Sequence, residues 1–218
     1  MLDISRPWSI IKRFNIHSTL ALAGVIGPIV LFIGDLTAAS INPAYSLVKH
    51  SISSLALTPL GWLQTIGFLA MGLFVEIFVA GLLFNVRGVR GFRPSIGALV
   101  FFGFGLLLVG AFRTDPVEGL HTIEGTIHGA TAMFVFWIFP AAVLLIAPSL
   151  RNDANWKDFF IYTMVTGILG LALVIGLLFL RNRIGWFGLY ERILVANMII
   201  WIEVTAIGLL RLSLSRKR

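Results

Sequence analysis

"FFIYTMVTGILGLALVIGLLFL", residues 159 to 180, runs without one charged side chain. A helix needs about 20 apolar residues to cross the hydrocarbon core of a bilayer, and this stretch supplies them. Five others do the same. The spans read from the sequence are residues 18–39, 61–84, 94–112, 126–147, 158–180 and 190–210. Between them stand "INPAY", "NVRGVRGFRP", "RTDPVEG", "APSLRNDANWKD" and "RNRIGWFG", rich in the Gly, Pro, Asn and charged residues that interrupt apolar helices. The predicted fold is all-α: a polytopic membrane protein, one bundle of six transmembrane helices over residues 1–218, with no second domain.

Composition points the same way. Hydrophobic residues make up 58% of the chain and charged ones 12%, with a mean hydropathy of +0.94, a balance that an aqueous domain does not carry. No cysteine occurs, which excludes disulfides, thiolate metal sites, thioether-linked haem and cysteine nucleophiles. The net charge of +7 follows from basic loops beside apolar spans, so no nucleic-acid partner is expected. Basic residues precede the first apolar run, but no small-residue cleavage site follows it, and the run reads as a retained span. Of 17 Lys and Arg, only Lys49, Arg113, Arg181, Arg183 and Arg192 fall on the side away from the termini. The positive-inside rule then makes the N- and C-termini cytoplasmic. Glycines in "GFGLLLVG" and "TGILGLALVIG" suit close helix packing; no strand precedes them and no lysine follows, so they are not read as a nucleotide loop.

One stretch breaks the pattern. Residues 112–134, "FRTDPVEGLHTIEGTIHGATAMF", gather Arg113, Asp115, Glu118, His121, Glu124 and His128 on the outer side. If the fourth helix begins near Leu120, then His121, Glu124 and His128 fall within about 60° of arc as one polar stripe. Gly125 and Gly129 would admit a neighbouring helix beside it. Asp35, near the outer end of the first span, must face the bundle, because an ionised carboxylate in lipid costs several kcal/mol. The first outer loop adds Tyr45, Lys49, His50, Ser51 and Ser53, on a short interfacial helix carrying Leu47, Ile52 and Leu55. The last outer loop and the start of helix six add Arg181, Arg183, Tyr190, Glu191 and Arg192.

His50, His121 and His128 with nearby carboxylates form a donor set suited to a divalent metal such as zinc. A metal-bound water could then attack a substrate, with Asp115 or Glu124 as proton acceptor and Ser51 or Ser53 facing the developing oxyanion. Asp35, Tyr45, Arg113 and Arg192 are the candidate substrate-binding residues. The same cluster also reads as a solvated loop whose charges cap helix ends and pair with Arg113 and Arg192. Haem held by histidine pairs is disfavoured, since these histidines map to one membrane edge. Glu76 and Glu203, inside the spans, are candidate proton relays; the alternative is that they bond to each other or to Asn197 or Thr205.

The residues Pro43-x-Tyr45, His50-Ser51-Ile52-Ser53, Phe112-x-x-Asp115-Pro116, His121 and His128 resemble a prokaryotic six-pass membrane family known as domain of unknown function 998. More distantly, Pro-x-Tyr and Ile-Ser look like the eukaryotic six-pass family of glycosylphosphatidylinositol-anchor remodelling proteins and autophagy modulators. An acid often follows Ile-Ser there, whereas Ser54 stands here. The resemblance implies a six-helix bundle in a prokaryotic plasma membrane with membrane lipids as partners. Three functions are weighed on these residues: a lipid-modifying hydrolase or acyl-transfer enzyme using His50, Asp115, His121 and His128, a non-catalytic lipid-binding bundle, or a proton-coupled small transporter with Glu76 and Glu203 as relays.

Overall fold

Each apolar stretch is a helix in the computed structural model, which describes residues 15–116, 119–180 and 184–215. Helix α1 spans Ile16–Ser40, α2 Gly61–Asn85, α3 Phe92–Ala111, α4 Ile123–Asn152, α5 Phe160–Leu180 and α6 Phe187–Ser215. Two short 3-10 turns, Ser53–Leu57 and Lys157–Phe159, complete the regular structure of the described residues. All six helices are long and apolar enough to cross a membrane, and the chain is a multi-pass membrane protein. Glu118, Arg181, Arg183 and the basic residues at both ends lie outside the described residues.

Local chemistry sets the helix starts. Asn15 caps α1 by accepting the Ser18 N–H at 3.1 Å, and Thr122 caps α4 by accepting the Gly125 N–H at 2.9 Å. Each satisfies a first-turn donor that has no partner within its own helix. Helix α3 opens at Gly91, whose φ of 93° is the left-handed conformation that glycine adopts without a Cβ penalty. Helices α4 and α6, of 30 and 29 residues, overrun their predicted spans. At 1.5 Å per residue they reach about 45 Å, enough to cross the headgroup layers as well, whereas an apolar window marks only the hydrocarbon part.

The helices pack in chain order, each on the next, and α6 closes the ring on α1. At the centre Phe139 of α4 meets Phe102 of α3 and Trp201 of α6, with ring centroids 4.8 and 5.8 Å apart. Hydrophobicity cannot drive helix association in lipid, so close approach matters more. Where α1 crosses α6, a Cβ on Gly24 would come within 2.7 Å of the Ala206 Cβ. Phe32, Leu73, Phe84, Phe101 and Phe179 project outward from the spans, a surface that hydrocarbon covers and water would not.

At the termini face, polar side chains join the helix ends: Ser18 to Ser213 at 2.9 Å, the Trp156 indole to the Asn85 carbonyl at 3.0 Å, and Asp153 accepting the Arg87 N–H at 2.8 Å. At the opposite, loop face, the first loop is not an interfacial helix. It turns inward and buries Ile52 and Leu55 in the mouth of the bundle, to 7% and 0% exposure, while Leu47 stays outside. Apolar side chains find a better partner in an unfilled bundle end than among headgroups.

Candidate functional site

The first loop is held down by one side chain from α6. Arg192 donates from Nη1 to the carbonyls of Leu47, His50 and Gly188 at 2.9, 3.0 and 3.1 Å, and from Nη2 to the Tyr45 hydroxyl at 2.6 Å. Its Nη2 also lies 3.6 Å from Asp35 Oδ1, which reaches in from α1 as burial in lipid requires. Tyr45 donates in turn to the Ser51 carbonyl at 2.7 Å. Burial holds the Tyr45 hydroxyl above its usual range, against the pull of Arg192, so it remains a neutral donor. Gly188 has no room for a side chain, because a Cβ there would strike the His50 carbonyl. Three of the four candidate substrate-binding residues are thus joined in one clamp, and the fourth, Arg113, is exposed elsewhere.

The third loop is tied by its own acids. Asp115 accepts the Thr122 N–H at 2.8 Å and the Thr122 hydroxyl at 2.7 Å, and these bonds hold its carboxyl below the usual aspartate range. Glu124 accepts the Arg113 N–H at 2.8 Å. Both carboxylates close the turn into α4. That helix starts at Ile123, so His121 precedes it, with its side chain 85% exposed and 3.8 Å from Asp115. The expected stripe therefore does not form: Glu124 is exposed while His128 is 4% exposed. Gly125 lies against the Asp115 carboxylate rather than a neighbouring helix, and Gly129 faces open space.

The three candidate metal-binding histidines stand in different settings. His50 accepts the Ser46 N–H on Nδ1 at 3.0 Å and its ring packs on Tyr45, His121 projects from the third loop, and His128 is buried in the bundle. Among the described residues no group of three His, Asp or Glu side chains converges on one point. The intramembrane acids also stay apart from their expected partners. Glu76 lies against Gly103 of α3, and Oε2 of Glu203 is buried without a partner. Asn197 and Thr205 bond instead to carbonyls, of Thr166 and of Trp201 and Ile202.

What does converge is smaller and deeper. Nδ1 of His128 lies 2.8 Å from the Phe112 carbonyl and 3.1 Å from that of Val109. A carbonyl only accepts, so Nδ1 carries the proton, and in the neutral ring Nε2 holds the lone pair. Nε2 is buried and has no partner. The ring borders a niche of about 10 Å³ shared with Ser53, Thr65, Phe68, Val109 and Arg113. Ser53, Phe68 and Val109 also line a second cavity of about 40 Å³, space for roughly two waters, along the bundle axis. Its walls are apolar, among them Met71, Phe102, Leu106, Val135 and Met198, and its polar groups are Ser53 and Glu191 at the loop face. Glu191 is placed there by accepting the Ile52 N–H at 2.6 Å. Of the predicted catalytic serines, Ser53 reaches this site, while Ser51 is spent on the turn, its Oγ accepting the Ser54 N–H at 3.3 Å.

Two polar residues of this region were not singled out as site residues from the sequence. Glu191 was hidden in a row of outer-loop charges. Gln64, on α2 one turn before Phe68, is fully buried with neither amide atom partnered. Its signal was legible, since a carboxamide inside an apolar span is costly unless something bonds to it.

A family model described as "Protein of unknown function (DUF998)" matches residues 25–208. The chain belongs to the DUF998 family. The match runs from within α1 to within α6, so it takes in Tyr45, Ser53, Gln64, His128 and the Glu191–Arg192 pair. No curated protein and no solved structure matches this DUF998 chain.

Proposed function

We propose that this DUF998 protein binds a membrane lipid, with one chain in the axial cavity and the polar end at Ser53, Glu191 and His128. The amphiphilic lining carries this reading: an apolar cavity inside the spans whose polar groups, a carboxylate and a hydroxyl, lie at the loop face. A ligand that fills it must be amphiphilic in the same sense. Since Nε2 of His128 is a buried acceptor without a partner, the polar end that suits it offers a hydroxyl or amine donor. At 40 Å³ the cavity is closed down, and filling it requires Met71 and Met198, flexible side chains, to swing aside. The excess of Lys and Arg at the other face supports an extracytoplasmic position for the site.

The test is lipid analysis of the purified protein. The expected result is a retained lipid that disappears when Leu106→Trp or Val135→Trp fills the cavity in a variant that still unfolds cooperatively. Equal lipid in wild type and both filled variants would sink the reading.

A second reading, lipid modification, is supported by Nε2 of His128 alone. A buried imidazole, oriented by carbonyls and holding a lone pair toward a hydroxyl-bearing niche, has the attributes of a general base. It would take the proton of water or Ser53 as that oxygen attacks an acyl carbonyl. As the acyl–oxygen bond breaks, the proton passes to the departing alkoxide. Release of free fatty acid or lyso-lipid from liposomes containing the protein tests it, and a rate equal to that of a His128→Asn variant would remove it.

A further inference from the structure

The axial cavity needs an entrance, and the loop face does not offer one: the first loop seals it with Ile52 and Leu55, and Arg192 fastens that loop at three oxygens, the Leu47 and His50 carbonyls and the Tyr45 hydroxyl. The cavity wall is otherwise uneven. Leu31, Phe68, Met71, Phe102, Leu106 and Val109, from α1, α2 and α3, are all buried. The partly exposed apolar residues of the wall come from α4 and α6 only: Ala132 and Phe136, and Val195 and Ile199. No residue of α5, the helix between these two in the ring, lines the cavity.

The course of α5 explains the gap. Toward the termini face α5 packs on α4, where a Cβ on Gly167 would strike Leu144 and one on Gly170 would meet Pro140. Toward the loop face it is held on α6, with the Tyr190 hydroxyl bonded to the Leu173 carbonyl at 2.7 Å. In that half α4 is exposed at Ala130, Phe134 and Trp137. Pro140 sits at the foot of the same segment, and having no N–H it cannot bond the Phe136 carbonyl, which makes it one of two points, with Pro148, where α4 bends easily.

We infer that the cavity is loaded sideways from the bilayer, by one acyl chain of a lipid passing between α4 and α6 past Ala132, Phe136, Val195 and Ile199. This rests on the lipid-binding reading and adds its route. The four side chains lie within the membrane-crossing helices, so what surrounds the gap is hydrocarbon, and an acyl chain entering there exchanges one apolar environment for another. Its polar end reaches Ser53 and Glu191 by moving along the gap at the headgroup-facing end. Bending of α4 at Pro140 widens the opening.

The chain has no native cysteine, so a pair of cysteines can bridge the gap specifically. The experiment reconstitutes wild type and an Ala132→Cys/Val195→Cys variant in liposomes with a phospholipid carrying a diazirine at the end of one chain. The variant is treated with a reducible bifunctional thiol reagent, and labelled peptides are mapped after illumination. The expected result is label on Met71 and Met198 in wild type, lost in the bridged variant and restored on reduction, which also shows that the variant is folded. Interior label that persists in the bridged protein overturns the lateral route while leaving lipid binding intact. Interior label missing from wild type itself overturns the lipid-binding reading, and the route with it. A Phe136→Cys/Ile199→Cys pair repeats the test one turn deeper.

Discussion

Arg192 and Asp35 face each other at 3.6 Å without a hydrogen bond, while the same guanidinium makes four hydrogen bonds to other oxygens. The two residues are therefore unequal partners. Removing Arg192 takes a donor from three carbonyls and the Tyr45 hydroxyl together; removing the Asp35 charge loses one long electrostatic contact. Arg192→Ala should cost about 3 kcal/mol of stability, in the range for breaking a partly buried charge network. Asp35→Asn should cost about 1 kcal/mol or less. Arg192→Lys should recover only a part, since an ammonium cannot reproduce the fork that reaches Leu47, His50 and Tyr45 at once. Thermal unfolding in detergent ranks the three; Asp35→Asn as damaging as Arg192→Ala would show that the ion pair is the principal tie.

Asp115 gives the third loop a pH dependence of known sign. Its carboxyl is held below the usual range by the Thr122 N–H and hydroxyl, bonds that only the ionised form accepts fully. A depressed folded value means that the tie is complete above the ordinary aspartate value of about 3.9 and is lost as pH falls through the lower folded one. Protection from hydrogen exchange around Thr122 to Thr126 should therefore drop in acid beyond the intrinsic rate change, and Asp115→Asn should show weak protection at every pH. A wild-type protection factor constant down to about pH 3 would contradict this.

The spans were readable because lipid imposes a simple demand, apolar side chains over a fixed length, and residues 61–84 and 158–180 meet it almost to the residue. The loop face was readable by residue type and not by partner. Asp115 and Glu124 look like free acids in a sequence, yet they are claimed by the Thr122 N–H and hydroxyl and by the Arg113 N–H, and no pattern of side chains reveals the backbone donors. Whether His121 joins His128 turned on the first residue of α4. Thr122, by capping, settled it, leaving one histidine outside the helix and the other a turn and a half inside. Ser51 and Ser53 stand two positions apart in a tight turn, and that spacing decides which faces the cavity.

Glu203 offers a test of whether an intramembrane acid is kept for function. Its Oε2 is buried without a hydrogen bond, a cost with no structural return. Glu203→Leu should raise the unfolding temperature, by an amount corresponding to about 1 kcal/mol. If the variant is instead destabilised, the carboxyl holds the fold through a contact such as ordered water. A stabilised variant that loses lipid from the cavity would place Glu203 in the working machinery.

His128 allows structure and chemistry to be separated within one side chain. Its Nδ1–H satisfies the Phe112 and Val109 carbonyls, and its Nε2 faces the niche. Asparagine places an amide donor near the Nδ1 position and nothing near Nε2. Alanine removes both and leaves two buried carbonyls beside a void. His128→Ala should therefore cost about 2–3 kcal/mol, while His128→Asn should stay within about 1 kcal/mol of wild type. If Nε2 meets the polar end of a lipid, both variants should lose retained lipid, the asparagine one with its stability intact. Full lipid retention in a stable His128→Asn protein would confine this histidine to holding the third loop against α4.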